Sequence, residues 1–302
     1  MIRMEEFRAL VRTRCGGLGS SRRAGPFARV SFAMMGLAIL LPLLSLLSLF
    51  GFSEDSVDVH TIIERSVRAN NADWQQSPAY DYSETDRNDQ GTKTYQVTMI
   101  LGSPYERLVA VNEQPLPADK QQAEQHKLEQ AVAARRKESP RQRAQRIAKY
   151  ERDRKREHLM MEQLTEAFDF KLQGTQKLGP HEVYWLQATA RPNYQPPNLQ
   201  TKVLTGMEGQ LWIDTKTYQW VKVEAIVVHP VSIEGFLARV DPGTRFELEN
   251  VPVAENVWLP KHFAMKANAK VLLLFNHNQQ EDETYFNYRK AEPNQGLSSS
   301  GK

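Results

Sequence analysis

Cysteine is almost absent. The 302-residue chain has one, Cys15, so it can form no internal disulfide and no multi-cysteine zinc site. Histidine is scattered: His60, His126, His158, His181, His229, His262 and His277 stand singly, with no two at the i, i+3 or i, i+4 spacing of a metal-binding helix. His181-Glu182 lacks the second histidine of a metalloprotease motif, and each histidine reads as a surface or strand-end residue. A Gly-x-Ser-x-Gly elbow, a phosphate loop and a dinucleotide fingerprint are all missing. An excess of one charge is missing too: 39 basic against 36 acidic residues leave +3, too near balance to imply a polyanion partner for the whole molecule. Glu247 and Glu249 share one face of a strand, the minimum for paired carboxylates, but Arg245 shares that face, which favours a cross-strand charge ladder. Nothing in these absences points to a catalytic residue, a metal or a cofactor, and the chain reads as a non-enzyme.

What is present is alternation. Met207 to Arg289 reads as a meander of antiparallel strands, clearest from Phe263 to Phe275, where Lys266, Asn268 and Lys270 take even positions among odd apolar ones. In the run from Trp220, alternation puts Val221, Val223, Ala225 and Val227 on one face and Trp220, Lys222 and Glu224 on the other. Phe246 and Leu248 oppose Arg245, Glu247 and Glu249. Turn residues separate the runs, as at Asp214-Thr215-Lys216-Thr217, His229-Pro230, Asp241-Pro242-Gly243 and Glu255-Asn256.

Earlier in the chain, Met1 to Arg29 is basic and is expected to be disordered. Val30 to Phe52 runs without a charge and is long enough to span a bilayer of about 30 Å. Arginines before it, with Glu54, Asp55 and Asp58 after it, orient the rest of the chain across the membrane. Residues 30–53 are then either a signal peptide, cut near the small-x-small pattern Gly51-Phe52-Ser53, or an anchor holding residues 30–52 in the inner membrane.

Ser56 to Asp73 has the period of an amphipathic helix through Val59, Ile62, Ile63 and Val67. Three strands follow, near 80–85, 94–101 and 105–111, with turns at Asn88 to Gly91 and Gly102 to Pro104. From Pro117 to Glu166 helix formers dominate, with Ser139 as an N-cap and Pro140 at the first helical position, predicting helices over about 118–137 and 140–166. Their arginine and lysine excess fits either an anionic surface partner or a solvated insertion, and the partly offsetting acids and the single aromatic, Tyr150, favour the solvated reading without nucleic acid. Phe168 to Lys177 and Glu182 to Ala190 form a further hairpin, and Arg191 to Pro197 a proline-containing loop. The predicted fold class is α+β: a large curled antiparallel half-barrel of about ten to eleven strands covered by helices, with a charged insertion at 117–166 and a polar tail at 291–302.

The motifs Gly209-Gln210-Leu211-Trp212-Ile213-Asp214, Tyr218 to Glu224 and Trp258-Leu259-Pro260-Lys261 resemble the outer-membrane lipoprotein-sorting (LolA/LolB-like) family of periplasmic carriers and their secreted relatives. The resemblance covers about residues 56–290, apart from the helical insertion. It implies a domain over 54–290, a half-barrel closed by helices around a cavity for acyl chains, and a location in the periplasm of a bacterium with two membranes. The partner would be a lipid or an acylated lipoprotein; the alternative is an envelope protein bound by a sensing or interaction module.

If a cavity exists, its walls come from the apolar strand faces. Candidates are Leu211, Ile213, Val221, Val223, Val227, Phe236 and Phe246. Leu248, Phe263, Met265, Val271, Leu273 and Phe275 complete the set. The same residues suit a filled core under the helix over 56–73, and the sequence leaves the two open. Trp212, Trp220 and Trp258 either pack under a helix or line a pocket.

Overall fold

The computed structural model describes residues 58–233, 238–271 and 275–292. The run from Val30 to Phe52, both chain ends and the candidates Phe236 and Leu273 lie outside the described residues. Among the described residues, no helix is long and apolar enough to cross a membrane.

The chain opens with α1 (Val59–Gln76), whose Asp58 cap accepts the Thr61 N–H and whose Ile62 and Ile63 are buried. Strands β1 (Tyr80–Asn88), β2 (Gly91–Ile100), β3 (Ser103–Val111) and β4 (Gln114–Pro115) follow as hairpins. The insertion supplies α2 (Ala118–Arg136), α3 (Pro140–Glu162) and the short α4 (Leu164–Ala167). Then come β5 (Phe168–Leu178), β6 (His181–Ala190), β7 (Met207–Asp214), β8 (Trp220–Val227), β9 (Val231–Ser232), β10 (Ala238–Val240), β11 (Arg245–Ala254), β12 (Val257–Val271) and β13 (Phe275–Lys290).

Eleven strands form one antiparallel path in the order β4-β3-β2-β1-β13-β12-β11-β8-β7-β6-β5, with β9 and β10 attached beside β12. Strands β4 and β5 are its two ends, so the sheet is open, as the half-barrel expectation requires. One lateral row of side chains crosses six neighbouring strands as Leu172, Leu186, Leu211, Val223, Leu248 and Phe263. The row one residue away reads Lys171, Gln187, Gln210, Glu224, Glu247 and Ala264. Period two therefore gives the sheet an apolar inner face, covered by α1, and a polar outer face.

On the outer face Lys222 Nζ lies 2.9 Å from Glu224, 2.7 Å from Glu247 and 3.7 Å from Glu249, while Lys261 reaches Glu249 at 3.2 Å. A cross-strand charge ladder is therefore present, but Lys222 and Lys261 supply its cations, and among the described residues Arg245, from which it was expected, forms no ion pair in it. Burial opposes the Lys222 charge, yet Glu224 and Glu247 hold the ammonium above its usual range.

The alternation predicted from Trp220 breaks at a bulge. Between Trp212 and Ile213 the register with β8 shifts, so Trp220 pairs with Ile213 and joins the main core. Val221 instead packs with Val183, Trp212 and Trp258 in a separate cluster. In β12 the alternation holds: Phe263, Met265 and Ala267 are all buried.

The predicted start of the second helix is exact in its chemistry. Ser139 Oγ accepts the Gln142 N–H while Gln142 Oε1 accepts the Ser139 N–H, a reciprocal capping box with Pro140 at the first position. Helix α2 buries no residue and packs along β3 as a solvated helix. The β2–β3 turn runs through Leu101 and Gly102 at φ 48° and 90°, and a Cβ on Gly102 would come within 2.8 Å of Ile147 Cδ1. A glycine there lets α3 sit down on the sheet.

Candidate functional site

Between the inner face and the helices is a cavity of about 290 Å³. Its floor is Val223, Ala225, Phe246, Leu248 and Phe263, its side wall includes Tyr82, Met99 and Met207, and its roof is Trp74 of α1 with Tyr150, Met160, Met161 and Leu164 of the insertion. The floor is open at Ala225 because the row beside the apolar one carries Ala188, Gly209 and Ala225 before Phe246 and Met265. Small side chains at the centre of a row of large ones leave space that neighbours cannot fill.

Four of the predicted wall residues, Val223, Phe246, Leu248 and Phe263, line this cavity. Leu211, Ile213 and Val227 are packed in the core under α1, and Met265 packs with Phe263, Ala267 and Tyr285. Val221 lies in the Trp212 cluster. Val271 and Phe275 are paired in the backbone register at the β12–β13 hairpin end, and Phe236 and Leu273 are not described.

The roof is polar where it joins α1. Arg154, 5% exposed, donates to the Trp74 carbonyl, to Ser77 Oγ at 3.2 Å and to Glu151 Oε2 at 2.8 Å. Its guanidinium also lies 4.5 Å from the Trp74 ring centre. The Trp74 carbonyl belongs to the last turn of α1, where backbone acceptors lack helical donors; it accepts the Ser77 hydroxyl at 2.9 Å as well as the guanidinium, whose charge also suits that end of the helix dipole. His158 stacks on Trp74 at 4.5 Å and brings Nε2 within 2.6 Å of Asn71 Oδ1. Burial, with Arg154 beside it, holds His158 below the usual imidazole range, so the ring is neutral and donates from Nε2.

Asp73 fixes the other side of α1. Its Oδ1 accepts the Trp258 N–H at 3.0 Å and Gln219 Nε2 at 3.3 Å. Burial is the larger influence and pushes its carboxyl up to about 6 despite those donors. Tyr82 and Tyr288 also border the cavity; burial raises both phenols, which stay neutral, and the Tyr288 hydroxyl donates to Pro260 O at 2.6 Å.

The sequence motifs have structural work to do beside this site. Asp214 closes the β7–β8 turn by accepting the Lys216 N–H at 3.0 Å and the Thr217 N–H at 2.8 Å, with His181 Nδ1 at 3.2 Å. Burial works against its charge, but those donors hold the carboxyl below the usual range. Trp258 supplies the N–H that anchors α1. Among the described residues no group of three or more His, Cys, Asp or Glu side chains is gathered as for a metal ion.

The insertion side of the cavity was missed by sequence reasoning. A signal exists: Ile147, Tyr150, Arg154, His158 and Met161 recur at i, i+3, i+7, i+11 and i+14, one helical face. The charged Arg154 and the polar His158 hide that face from any apolar pattern.

No family model matches the chain, and no curated protein does. Solved structures do. The chain is similar to a LolA superfamily protein from Nitrosomonas europaea, at 11% identity over 81% of this chain and 99% of that one, with a TM-score of 0.31. It is similar to a putative outer membrane lipoprotein-sorting protein domain from Vibrio parahaemolyticus, at 12% identity over 78% and 97% of the two chains, TM-score 0.28. A third is the MucA/MucB complex of Pseudomonas aeruginosa, at 10% identity over 75% and 99%, TM-score 0.21.

Proposed function

We propose that the protein is a non-enzymatic lipid-binding protein of the bacterial envelope, holding an acyl chain of a lipid or lipoprotein between its sheet and the roof of α1 and α3. The observation that supports this most is the apolar cavity of about 290 Å³ with Phe246, Phe263, Met160 and Met161 in its walls. That volume is near the lower end of the roughly 300–1,000 Å³ of small-molecule sites. At about 30 Å³ per water-sized group it has room for roughly ten heavy atoms, a single chain. Each methylene leaving water contributes about 0.8 kcal/mol, so about ten contribute on the order of 8 kcal/mol without any polar contact. The uncharged run from Val30 to Phe52 and its flanking charges support placing the domain across the inner membrane.

Native mass spectrometry of the full chain purified from a bacterial envelope tests this. The expected result is co-purifying phospholipid or acylated peptide, with uptake reduced more than tenfold in Ala225→Phe, whose ring fills the floor, while circular dichroism is unchanged. A chain that carries no lipid and takes up no added fluorescent fatty acid sinks the proposal, and leaves an envelope protein partner as the reading to pursue.

A further inference from the structure

Helix α3 carries two stripes of opposite use. Its inward stripe, from Ile147 to Met161, faces the sheet, α1 and the cavity. The arginines on that side are occupied: Arg146 donates to Glu138, Ser103 Oγ and Leu101 O, and Arg154 to α1. At the end of α2, Arg135 donates to Ile100 O, Ser103 O and Pro104 O.

The other stripe is Arg141, Gln145, Ala148, Arg152 and Lys155, at i, i+4, i+7, i+11 and i+14, and every member is exposed. Among the described residues, Arg141, Arg152 and Lys155 form no ion pair. Lys149 and Arg156 flank the stripe and share the single carboxylate of Asp153. Charge on this face is therefore cationic and unneutralised, in a molecule whose total is only +3. A helix face with no packing role and no ion-pair partner among the described residues fits an external polyanion.

Two observations choose among polyanions. Tyr150, the aromatic of this helix, faces the cavity, so the stripe offers no stacking platform for bases. Six residues separate Phe52 from Val59, at most about 25 Å of extended chain, so an apolar run seated in a bilayer holds the domain within reach of the headgroups. We propose that the outer face of α3 docks on an anionic phospholipid bilayer. Basic side chains near such a surface are attracted within about a Debye length, roughly 8 to 10 Å at ordinary salt. The docking does not depend on what the cavity holds.

The test uses the full chain with Cys15→Ser and a fluorophore on Ala148→Cys, mixed with vesicles of phosphatidylcholine and phosphatidylglycerol containing a headgroup nitroxide lipid. Quenching at position 148 is expected, falling at least about threefold without phosphatidylglycerol, at high salt, or with R141E/R152E/K155E in the same chain. A fluorophore on Gln173→Cys, on the far edge strand, stays unquenched. Circular dichroism of the triple variant is expected to match the parent, since all three side chains are exposed. Absence of quenching at 148, equal quenching on pure phosphatidylcholine, or quenching unchanged by the triple reversal overturns the proposal, as does tighter binding to single-stranded nucleic acid than to these vesicles.

Discussion

The floor of the cavity is a sheet whose apolar row crosses six strands, whereas its roof is two helices fastened by a buried cation, an imidazole and a carboxylate. The floor draws on area removed from water, which is non-directional and grows with every side chain added. The roof draws on a few directional contacts between buried polar groups, which are modest when made and costly when half broken. Substitutions in the two regions should therefore differ in size and in reach.

Trp220 is the sharpest test of the floor. It is 2% exposed, sits in the main core opposite Ile213, and its Nε1 has no hydrogen-bond partner among the described residues. Trp220→Ala should cost about 3–5 kcal/mol, read as a lowered urea midpoint at unchanged slope. Trp220→Phe keeps most of the buried area and removes the unpartnered N–H, so it should cost far less. Equal losses in the two variants would mean that the indole nitrogen matters and that the floor is not held by area alone.

The same division explains what the sequence revealed. Strand faces were legible because one residue's step flips a side chain between core and solvent, so Phe246, Leu248, Phe263 and Met265 had to lie together. The capping box at Ser139 and the turn at Asp214 were legible because their chemistry is local. Val221 was misplaced because a bulge shifts the phase, and nothing in Trp220-Val221-Lys222 marks it. The roof was hidden for a different reason. Arg154 meets Trp74 across 80 residues, and a buried arginine looks like an exposed one in sequence.

Asp73 ties roof to floor, and its effect comes next in size. Its carboxyl is raised from 3.8 to about 6, so between those values the folded state binds more protons than the unfolded one. Stability should therefore fall as pH rises from about 4 to about 6 and level off above, by up to about 3 kcal/mol. Asp73→Asn keeps an acceptor for the Trp258 N–H and carries no charge, so it should flatten that slope and be more stable than the parent at pH 7. Denaturant midpoints across this range decide it; an unchanged slope in the variant would place the titrating group elsewhere.

Arg154 tests the roof alone. Arg154→Met retains an apolar stem against Trp74 and leaves the bond from the Ser77 hydroxyl to the Trp74 carbonyl, but removes the guanidinium from both, at about 1–2 kcal/mol. Because these contacts join only α3 to the end of α1, the loss should be local. Hydrogen exchange is expected to quicken in residues 150–162 and 70–77, while the central strands β7, β8, β11 and β12 keep their protection. Arg154→Lys should not restore it, since a point ammonium cannot reach the Trp74 carbonyl and Glu151 with the geometry of a fork. If exchange rises uniformly across the sheet instead, floor and roof unfold as one unit, and the roof cannot open independently of the sheet beneath it.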